Sequence, residues 1–312
     1  MRMVRRIYRR FKDYVQAVRC RVDGNCLILF CDGGISSQMY QYMWGQYLIE
    51  KGYRVKYDLS FYDNNPRDMD GIFDRSYTLD KLCVINDIEK APKWQIEYYK
   101  KHFLNPKNQF PHSNIMSIDE QWEAPKYLGN YYSCEPSEYI AMFRKYIHIK
   151  DINEVLDEDN RGIYMRITNC ESVGVHIRRG DMINDKTNRW IEPELSYFVN
   201  TMSSAEFNKM HFFLFSDEID WIKERLIPLI DGIVEYTVVE NNGSDKGYID
   251  LLLLSSCKHQ IASQGSFGVV AFVLNRNPDK ILMIPEGSRK MVRERLAGEN
   301  VVCWDLHGNR LQ

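Results

Sequence analysis

The chain has 312 residues, enough for one large domain or two of ordinary size, and we expect two. Hydrophobic residues make up 44% of the sequence, as in folded proteins, and the net charge of −2 gives no indication of nucleic-acid binding. The longest apolar run, residues 265–274, is too short for a transmembrane helix, and the charged N-terminus lacks the apolar segment of a signal peptide.

The eight cysteines are scattered along the chain and form no CxxC pair. This usage argues against a structural zinc site and favours a reducing compartment, in which cysteines serve as small apolar residues. We therefore expect a cytoplasmic protein.

Residues 1–22 form a separate segment, which we predict to be a basic amphipathic helix. Apolar residues recur there at helical spacing: Val4, Ile7, Tyr8, Phe11, Tyr14, Val15 and Val18. Residues 1–21 also contain eight arginines and lysines but a single acid, Asp13. Two interpretations stay open. The helix lies in the interface of an anionic membrane, or it docks on the globular body with a solvated basic face.

The next segment has the pattern of a βαβ unit. The apolar run 26–31 predicts a strand, residues 36–51 predict a helix, and residues 54–59 predict a second strand. Gly33 and Gly34 lie between the first strand and the helix. Glycines at this point allow a ligand to approach the helix N-terminus, where free N–H groups favour anions, although a tight turn alone explains them equally well.

The middle of the chain is less regular. Helical spacing is present over residues 94–103 and 137–148, and two acidic triplets occur at 68–70 and 157–159. Such triplets hold a metal in some sugar transferases, but no strand precedes either one, so we interpret both as solvated carboxylates. The charged stretch 151–161 predicts a boundary, which gives an N-terminal α/β domain over 23–165 and a C-terminal domain over 166–312.

Strand and helix patterns alternate through the C-terminal domain. Strands are predicted over residues 173–178, 211–215, 232–239, 259–262 and 280–284. Helices are predicted over residues 193–203, 217–226, 247–257 and 266–274. This order is typical of a doubly wound parallel sheet. The chain has neither a GxGxxG fingerprint nor a GxxxxGK[ST] loop, so a dinucleotide-dependent enzyme and a P-loop enzyme are both disfavoured.

Arg178 and Arg179 follow the first of these strands, where an open α/β sheet binds its ligands. Two adjacent guanidinium groups repel each other unless an anion lies near them, and their planar forks suit phosphate oxygens. The alternative is a surface loop in which one arginine pairs with Asp181. The residues alone leave both interpretations open.

Four segments resemble the α-1,2-fucosyltransferases of glycosyltransferase family 11, in the family's order. GGISSQMYQY at 33–42 resembles GGLGNQMFQY, and HIRRGD at 176–181 matches HxRRxD. FSDE at 215–218, with Trp221, resembles FSDD…W, and residues 250–274 resemble DLxLMSxCKHxIxxNSSFSWWxAxL. The resemblance implies a GT-B-like fold with two Rossmann-like domains and metal-independent transfer with inversion. It places GDP-fucose mainly in the C-terminal domain and requires no cofactor.

The resemblance also implies roles for single residues. Arg178 is the expected principal ligand of the donor phosphates, with Arg179 sharing the contact or positioning the loop. His176 and Asp250 are expected to read the guanine end, although a core histidine and an ordinary helix N-terminal acid explain them almost as well. Ser266 is expected to cap a phosphate. Its neighbour Phe267 and the pair Ser216 and Asp217 complete the expected donor site.

Inversion by single displacement needs a base for the acceptor hydroxyl. Asp181 is the first choice because it lies beside the arginines, and Glu192 is the second. Two departures from the family pattern concern the donor site: Ser36-Ser37 replaces Gly-Asn, and Gly268-Val269-Val270 replaces the segment with two tryptophans.

The sequence as a whole predicts transfer of L-fucose from GDP-fucose to a galactoside hydroxyl in an α-1,2 linkage. The expected acceptor is a galactose-containing oligosaccharide or a lipid-linked glycan of surface polysaccharide biosynthesis. A cytoplasmic enzyme on the inner membrane face fits the basic helix. The alternatives are transfer of another GDP-sugar, transfer to another acceptor, and an inactive nucleotide-sugar-binding scaffold.

Overall fold

The computed structural model describes residues 2–64, 67, 74–86, 88–104, 124–128, 136–180, 192–286 and 295–311. The chain divides into two compact units. One comprises residues 1–33, 37–64 and 85–135, and the other comprises residues 34–36, 65–84 and 136–312. The predicted boundary at 165/166 is not where this division falls. Helices over 136–168 belong to the second unit because they pack against later helices of that unit.

The first unit is built around a three-stranded parallel sheet. Its elements are helix α1 (Arg2–Asp23), β1 (Leu27–Phe30), α2 (Ile35–Glu50), β2 (Val55–Asp58), α3 (Lys93–His102) and β3 (Lys126–Leu128). The strand order is β2-β1-β3, and Leu27 pairs with Val55 on one side and Lys126 on the other. The predicted βαβ unit is therefore confirmed. Strand β3 was missed because it has only three residues within an irregular segment.

A small core stabilises this sheet. Cys20, Cys26, Ile28 and Tyr99 form a cluster with other residues of α3 and β3, and Asp58 lies fully buried at the end of β2. Burial alone raises the pKa of Asp58. Hydrogen bonds from the Ser60 N–H and the Tyr127 hydroxyl, together with the Lys100 ammonium, outweigh that effect and hold the pKa below its ordinary value.

The second unit contains a six-stranded parallel sheet with the order β6-β5-β4-β7-β8-β9. The strands are β4 (Ser172–Ile177), β5 (His211–Ser216), β6 (Glu235–Val239), β7 (His259–Ala262), β8 (Leu282–Pro285) and β9 (Val301–Trp304). The helices are α4 (Pro136–Tyr146), α5 (Glu158–Thr168), α6 (Leu195–Met202), α7 (Gly247–Ser256) and α8 (Ser266–Leu274). The predicted α/β class with parallel sheets is confirmed.

Burial of the strands in the core of the second unit explains why most of them could be predicted from the sequence. Strand β4 is buried along its whole length, as are β7 and β8, because helices cover both faces of a parallel sheet. Strand β9 was not predicted, since its short run VVCW follows a polar loop. The predicted helix 217–226 begins two residues later. It consists of Ile219–Trp221, a π-helical turn Ile222–Leu226 and Ile227–Ile230.

Within the described part of the chain, no helix combines the length and the apolar content that a membrane span requires. The seven cysteines that the structure describes form no disulfide with one another.

Candidate active site

The glycine turn of the first unit is held by glutamines of α2. Gly33 has φ of +73°, a backbone conformation that favours glycine. Gln38 Nε2 donates to the Gly33 carbonyl oxygen at 3.2 Å, and Gln41 Nε2 donates to Asp32 Oδ1 at 2.9 Å. Both glutamines belong to the segment that resembles the family motif. They fix the turn that presents the N-terminus of α2. In the second unit, Gly34 lies beside the Arg75 guanidinium.

Arg178 and Arg179 lie at the carboxyl edge of the sheet of the second unit, as predicted. The Arg178 N–H donates to Ser263 Oγ at 2.9 Å, and the Ser263 N–H donates to the His176 carbonyl oxygen at 2.9 Å. On the other side, the Arg179 N–H donates to Asp217 Oδ1 at 2.9 Å. The end of β4 is thus hydrogen-bonded to the segments that follow both neighbouring strands, β7 and β5, which fixes the backbone that carries both guanidinium groups.

The side chain of Arg179 is engaged within the protein. Its Nε lies 3.1 Å from Glu218 Oε2, and its Nη1 forms an ion pair with Glu192. The guanidinium plane lies over the Trp221 ring, 3.9 Å from the ring centroid, in a cation–π contact. Because two carboxylates already balance this charge, the geometry favours a positioning role for Arg179. Arg178, which the resemblance implies as the principal phosphate ligand, stays the first candidate for that contact.

His176 is buried beside the first turn of α8. Its ring stacks on Phe267 with 4.8 Å between ring centroids, and its Nδ1 lies 3.5 Å from Ser263 Oγ. Burial, together with the positive charge of Arg178, lowers the pKa of His176 to about 3. The imidazole is therefore neutral at physiological pH. It contributes hydrogen bonding and packing to the site, and it adds no positive charge.

Two further residues that are expected in the donor site, Ser266 and Phe267, lie in the first turn of α8. Gly265 precedes the helix with φ of +109°, and Ser266, in the first turn, is exposed. Free N–H groups and the helix dipole favour an anion at such an end. Ser216, another residue expected in the donor site, is the last residue of β5. Its Oγ accepts a hydrogen bond from the Glu218 N–H at 3.0 Å, so this serine shapes the turn that carries Asp217 and Glu218.

Asp250 belongs to a chain of polar contacts near the carboxyl end of β6. Asn242 Nδ2 donates to Asp250 Oδ1 at 2.7 Å, and the amides of Asn242 and Asn160 donate to each other at 3.0 Å. Asp157 in turn accepts from the Asn160 N–H and caps α5. Burial raises the pKa of Asp250 to about 7, although the Asn242 hydrogen bond acts in the opposite direction.

The structure describes only one of the two candidate bases. Asp181 lies outside the described residues. Glu192 is ion-paired to Arg179, and burial raises its pKa while the Arg179 charge lowers it. The net effect raises the pKa of Glu192 above its ordinary value, so Glu192 stays a candidate base, and its ion pair with Arg179 also gives it a positioning role. A depression of about 360 Å³ lies beside this ion pair and is lined by Arg179, Glu192, Pro193, Glu194, Leu195, Trp221 and Arg225.

The acidic triplet 157–159 serves a structural purpose. Asp157 caps α5, Glu158 and Asp159 occupy its first turn, and Lys246 Nζ pairs with Asp157 at 3.1 Å. Residues 68–70 lie outside the described residues. Among the residues that the structure describes, no group of three or more His, Cys, Asp or Glu side chains is arranged to hold a metal ion.

Sequence reasoning missed three residues of this site. Ser263 follows β7 directly and could have been proposed because the ends of neighbouring parallel strands meet at one edge. Asn160 and Asn242 carried no such signal, since 82 residues separate the two amides along the chain and only the fold brings them together.

A parallel sheet with arginine fixed at its carboxyl edge is an arrangement suited to enzymes that bind phosphorylated nucleotides. Comparison with known proteins makes the assignment specific, because the profile of glycosyl transferase family 11 matches residues 81–296. The chain belongs to glycosyl transferase family 11. The prediction of a glycosyltransferase is thereby confirmed, although the first of the four motifs, at 33–42, lies outside the matched residues.

Individual relatives are more distant. An alpha-1,2-colitosyltransferase of Escherichia coli is 26% identical over 253 residues, which cover 75% of this chain and 82% of the relative. The O-antigen biosynthesis glycosyltransferase WbnK of Escherichia coli is 26% identical over 151 residues, or 44% of each chain. A solved structure of an Arabidopsis thaliana FUT1 mutant in complex with GDP has 9% identity and a TM-score of 0.46, covering 86% of this chain and 72% of that one.

Gly268 provides a test of the packing beneath the site. A Cβ atom at this position would lie 2.5 Å from the Ala262 Cβ, so Gly268→Ala forces α8 away from β7. We expect a loss of about 1–3 kcal/mol in the free energy of unfolding, measured in urea. Gly162→Ala is the matched control, since a Cβ on this α5 glycine meets nothing within 4 Å and should stabilise the helix by roughly 0.5–1 kcal/mol. Equal stability of both variants would contradict the packing.

Asp250 gives a pH-dependent prediction. Its folded pKa lies above its unfolded value, so the carboxyl group destabilises the fold as the pH rises from about 4 through 7. Asp250→Asn keeps the oxygen that accepts from Asn242 and removes the charge. We expect the stability advantage of the variant over the wild type to grow by roughly 2–3 kcal/mol between pH 5 and pH 8, measured by urea unfolding. The exposed Asp245→Asn is the control, and a stability difference that does not change with pH in the Asp250 variant would refute the burial argument.

Proposed function

We propose that this family 11 glycosyltransferase moves L-fucose from GDP-fucose to a galactoside hydroxyl, with inversion and formation of an α-1,2 linkage. The single observation that carries the proposal is the position of Arg178. Its backbone N–H is held by Ser263 at the end of β4, at the carboxyl edge where open α/β sheets bind their ligands. The neighbouring Arg179 is ion-paired to Glu192 and Glu218.

Arg178 is assigned to the charge that develops on the leaving group. As the bond from fucose to the diphosphate breaks, negative charge grows on the phosphate oxygens, and a preorganised guanidinium stabilises it without reorganisation. Ser266 and the N-terminus of α8 provide a second set of donors for the same phosphates. This assignment requires no divalent cation.

The guanine end of the donor is assigned to His176 and Asp250. An ionised carboxylate accepts hydrogen bonds from the N–H donors of guanine, and the buried neutral imidazole provides a further hydrogen-bonding group. Because the pKa of Asp250 is raised to about 7, this part of the affinity should strengthen as the pH rises through neutrality. Asp181 remains the first choice for the base that activates the acceptor hydroxyl.

A second donor is favoured by one comparison. The Escherichia coli relative that covers three quarters of this chain is an alpha-1,2-colitosyltransferase, and colitose is L-fucose without its 3-hydroxyl group. The same arginine site serves either GDP-sugar, because the two donors share the nucleotide and differ only on the sugar ring. The relative WbnK, an O-antigen biosynthesis glycosyltransferase, supports a role in surface polysaccharide biosynthesis.

Donor choice is tested by product analysis. Purified protein is incubated in EDTA with lactose and, in turn, GDP-fucose, GDP-colitose, GDP-mannose and UDP-galactose, and products are identified by mass spectrometry and NMR. We expect an α-1,2-fucosylated galactoside from GDP-fucose and none from UDP-galactose. A product from GDP-colitose alone would replace fucose by colitose. Binding of GDP-fucose without any product, over a panel of galactosides, would favour the inactive scaffold.

Arg178 is tested by calorimetric titration with GDP. Arg178→Gln keeps the side-chain length and removes the charge, and we expect GDP to bind at least roughly a hundred-fold more weakly, as for the loss of charge-assisted hydrogen bonds to a phosphate. Arg276→Gln is the control for net charge, since this exposed arginine follows α8 at the opposite edge of the sheet. Unchanged affinity in the Arg178 variant would refute the phosphate assignment.

A further inference from the structure

The apolar stripe of α1 is exposed along most of its length, with Val15 half-buried. Ile7, Phe11 and Tyr14 expose 60%, 65% and 68% of their surface. Five further residues of the stripe are exposed as well: Met3, Val4, Tyr8, Val18 and Val22. Single exposed apolar residues are common in soluble proteins, but a contiguous row of eight on one helix marks an interaction surface. The active-site residues described above include none of these side chains.

The helix attaches to the first unit by a different face. Gln16 and Cys20 are buried, Gln16 Nε2 contacts the Trp94 carbonyl oxygen at 3.5 Å, and Lys12 Nζ pairs with Glu97 at 3.3 Å. At 3.6 residues per turn, positions 16 and 20 lie on roughly the opposite side of the helix from positions 7, 11 and 18. The helix is therefore docked on α3 with its apolar stripe facing away from the unit that holds it.

The charge of α1 is predominantly positive. Its eight basic residues are accompanied by two acids, Asp13 and Asp23. Asp13 pairs with Lys101 of α3, and Asp23 pairs with Lys56 and Arg54 near β2. The acids of the helix are thus engaged by basic residues of the unit, and they do not neutralise the arginines of the helix itself.

We propose that α1 docks this protein on an anionic membrane surface, with the apolar stripe at the boundary between headgroups and acyl chains. On the helix, Arg10 and Arg21 flank the stripe on the side away from the Lys12–Glu97 contact, where long basic side chains reach lipid phosphates. Because α3 holds the opposite face, the first unit lies on the side of the helix away from the membrane.

The charge distribution selects this occupant over a second copy of the chain. Two copies that paired through the stripe would bring together two helices that each carry eight basic residues and only two acids, and these helices would repel each other. An anionic lipid surface instead supplies both partners at once, acyl chains for the stripe and phosphates for the arginines.

The experiment is flotation of the full-length protein with vesicles. Vesicles of phosphatidylglycerol mixed with phosphatidylcholine are compared with vesicles of phosphatidylcholine alone, at low and high salt. We compare Ile7→Ser with Ile233→Ser, because these isoleucines expose 60% and 63% of their surface and Ile233 lies in the second unit. The double variant Ile7→Ser/Phe11→Ser extends the series, and circular dichroism confirms that each variant is folded.

We expect the wild type and Ile233→Ser to float with the anionic vesicles and to be released by salt. Ile7→Ser should partition about ten-fold more weakly, and the double variant should stay in solution. Three results would overturn the proposal: no flotation of the wild type, equal flotation of Ile7→Ser and Ile233→Ser, or a wild-type dimer that Ile7→Ser dissociates. Since vesicle binding needs no nucleotide, its failure and a failure of GDP binding are independent results.

Discussion

The candidate active site depends on how the end of β4 is tied to its neighbours. Backbone N–H groups of Arg178 and Arg179 donate to side chains that follow β7 and β5, namely Ser263 and Asp217. A strand end with two adjacent guanidinium groups is otherwise under electrostatic repulsion. These hydrogen bonds hold the two Cα atoms in place.

The position of the strand end also determines the contacts of Arg179. Its guanidinium group is ion-paired to Glu192 and Glu218 and packs on the Trp221 ring. Arg178, at the same strand end, is the residue that the proposed function assigns to the anionic leaving group. The pKa of His176, lowered to about 3 by burial and by Arg178, follows from the same arrangement, because a second positive charge next to that arginine would be costly. The proposed metal-independent transfer needs a cation opposite its leaving group, which is the role proposed for Arg178.

The sequence predicted five of the six strands of the second unit, and most clearly β4 and β5, which read as β-branched or aromatic runs. It also predicted that Arg178 and Arg179 lie at the carboxyl edge of this sheet. It did not predict their different roles, since those depend on Glu192, Glu218 and Trp221, whose positions only the fold sets. The Asn160–Asn242 pair and the docking of α1 by its polar face could not be predicted either, because both are contacts between distant parts of the chain. Short strands such as β3 and β9 contain too few residues for a hydrophobic pattern to be recognised.

The most direct test of this account is an experimental structure of the protein with GDP bound. The account predicts a phosphate oxygen within hydrogen-bond distance of the Arg178 guanidinium, with Arg179 still paired to Glu192 and Glu218. A diphosphate bound by Arg179, with its two carboxylate partners displaced, would contradict the assignment on which the proposed mechanism rests.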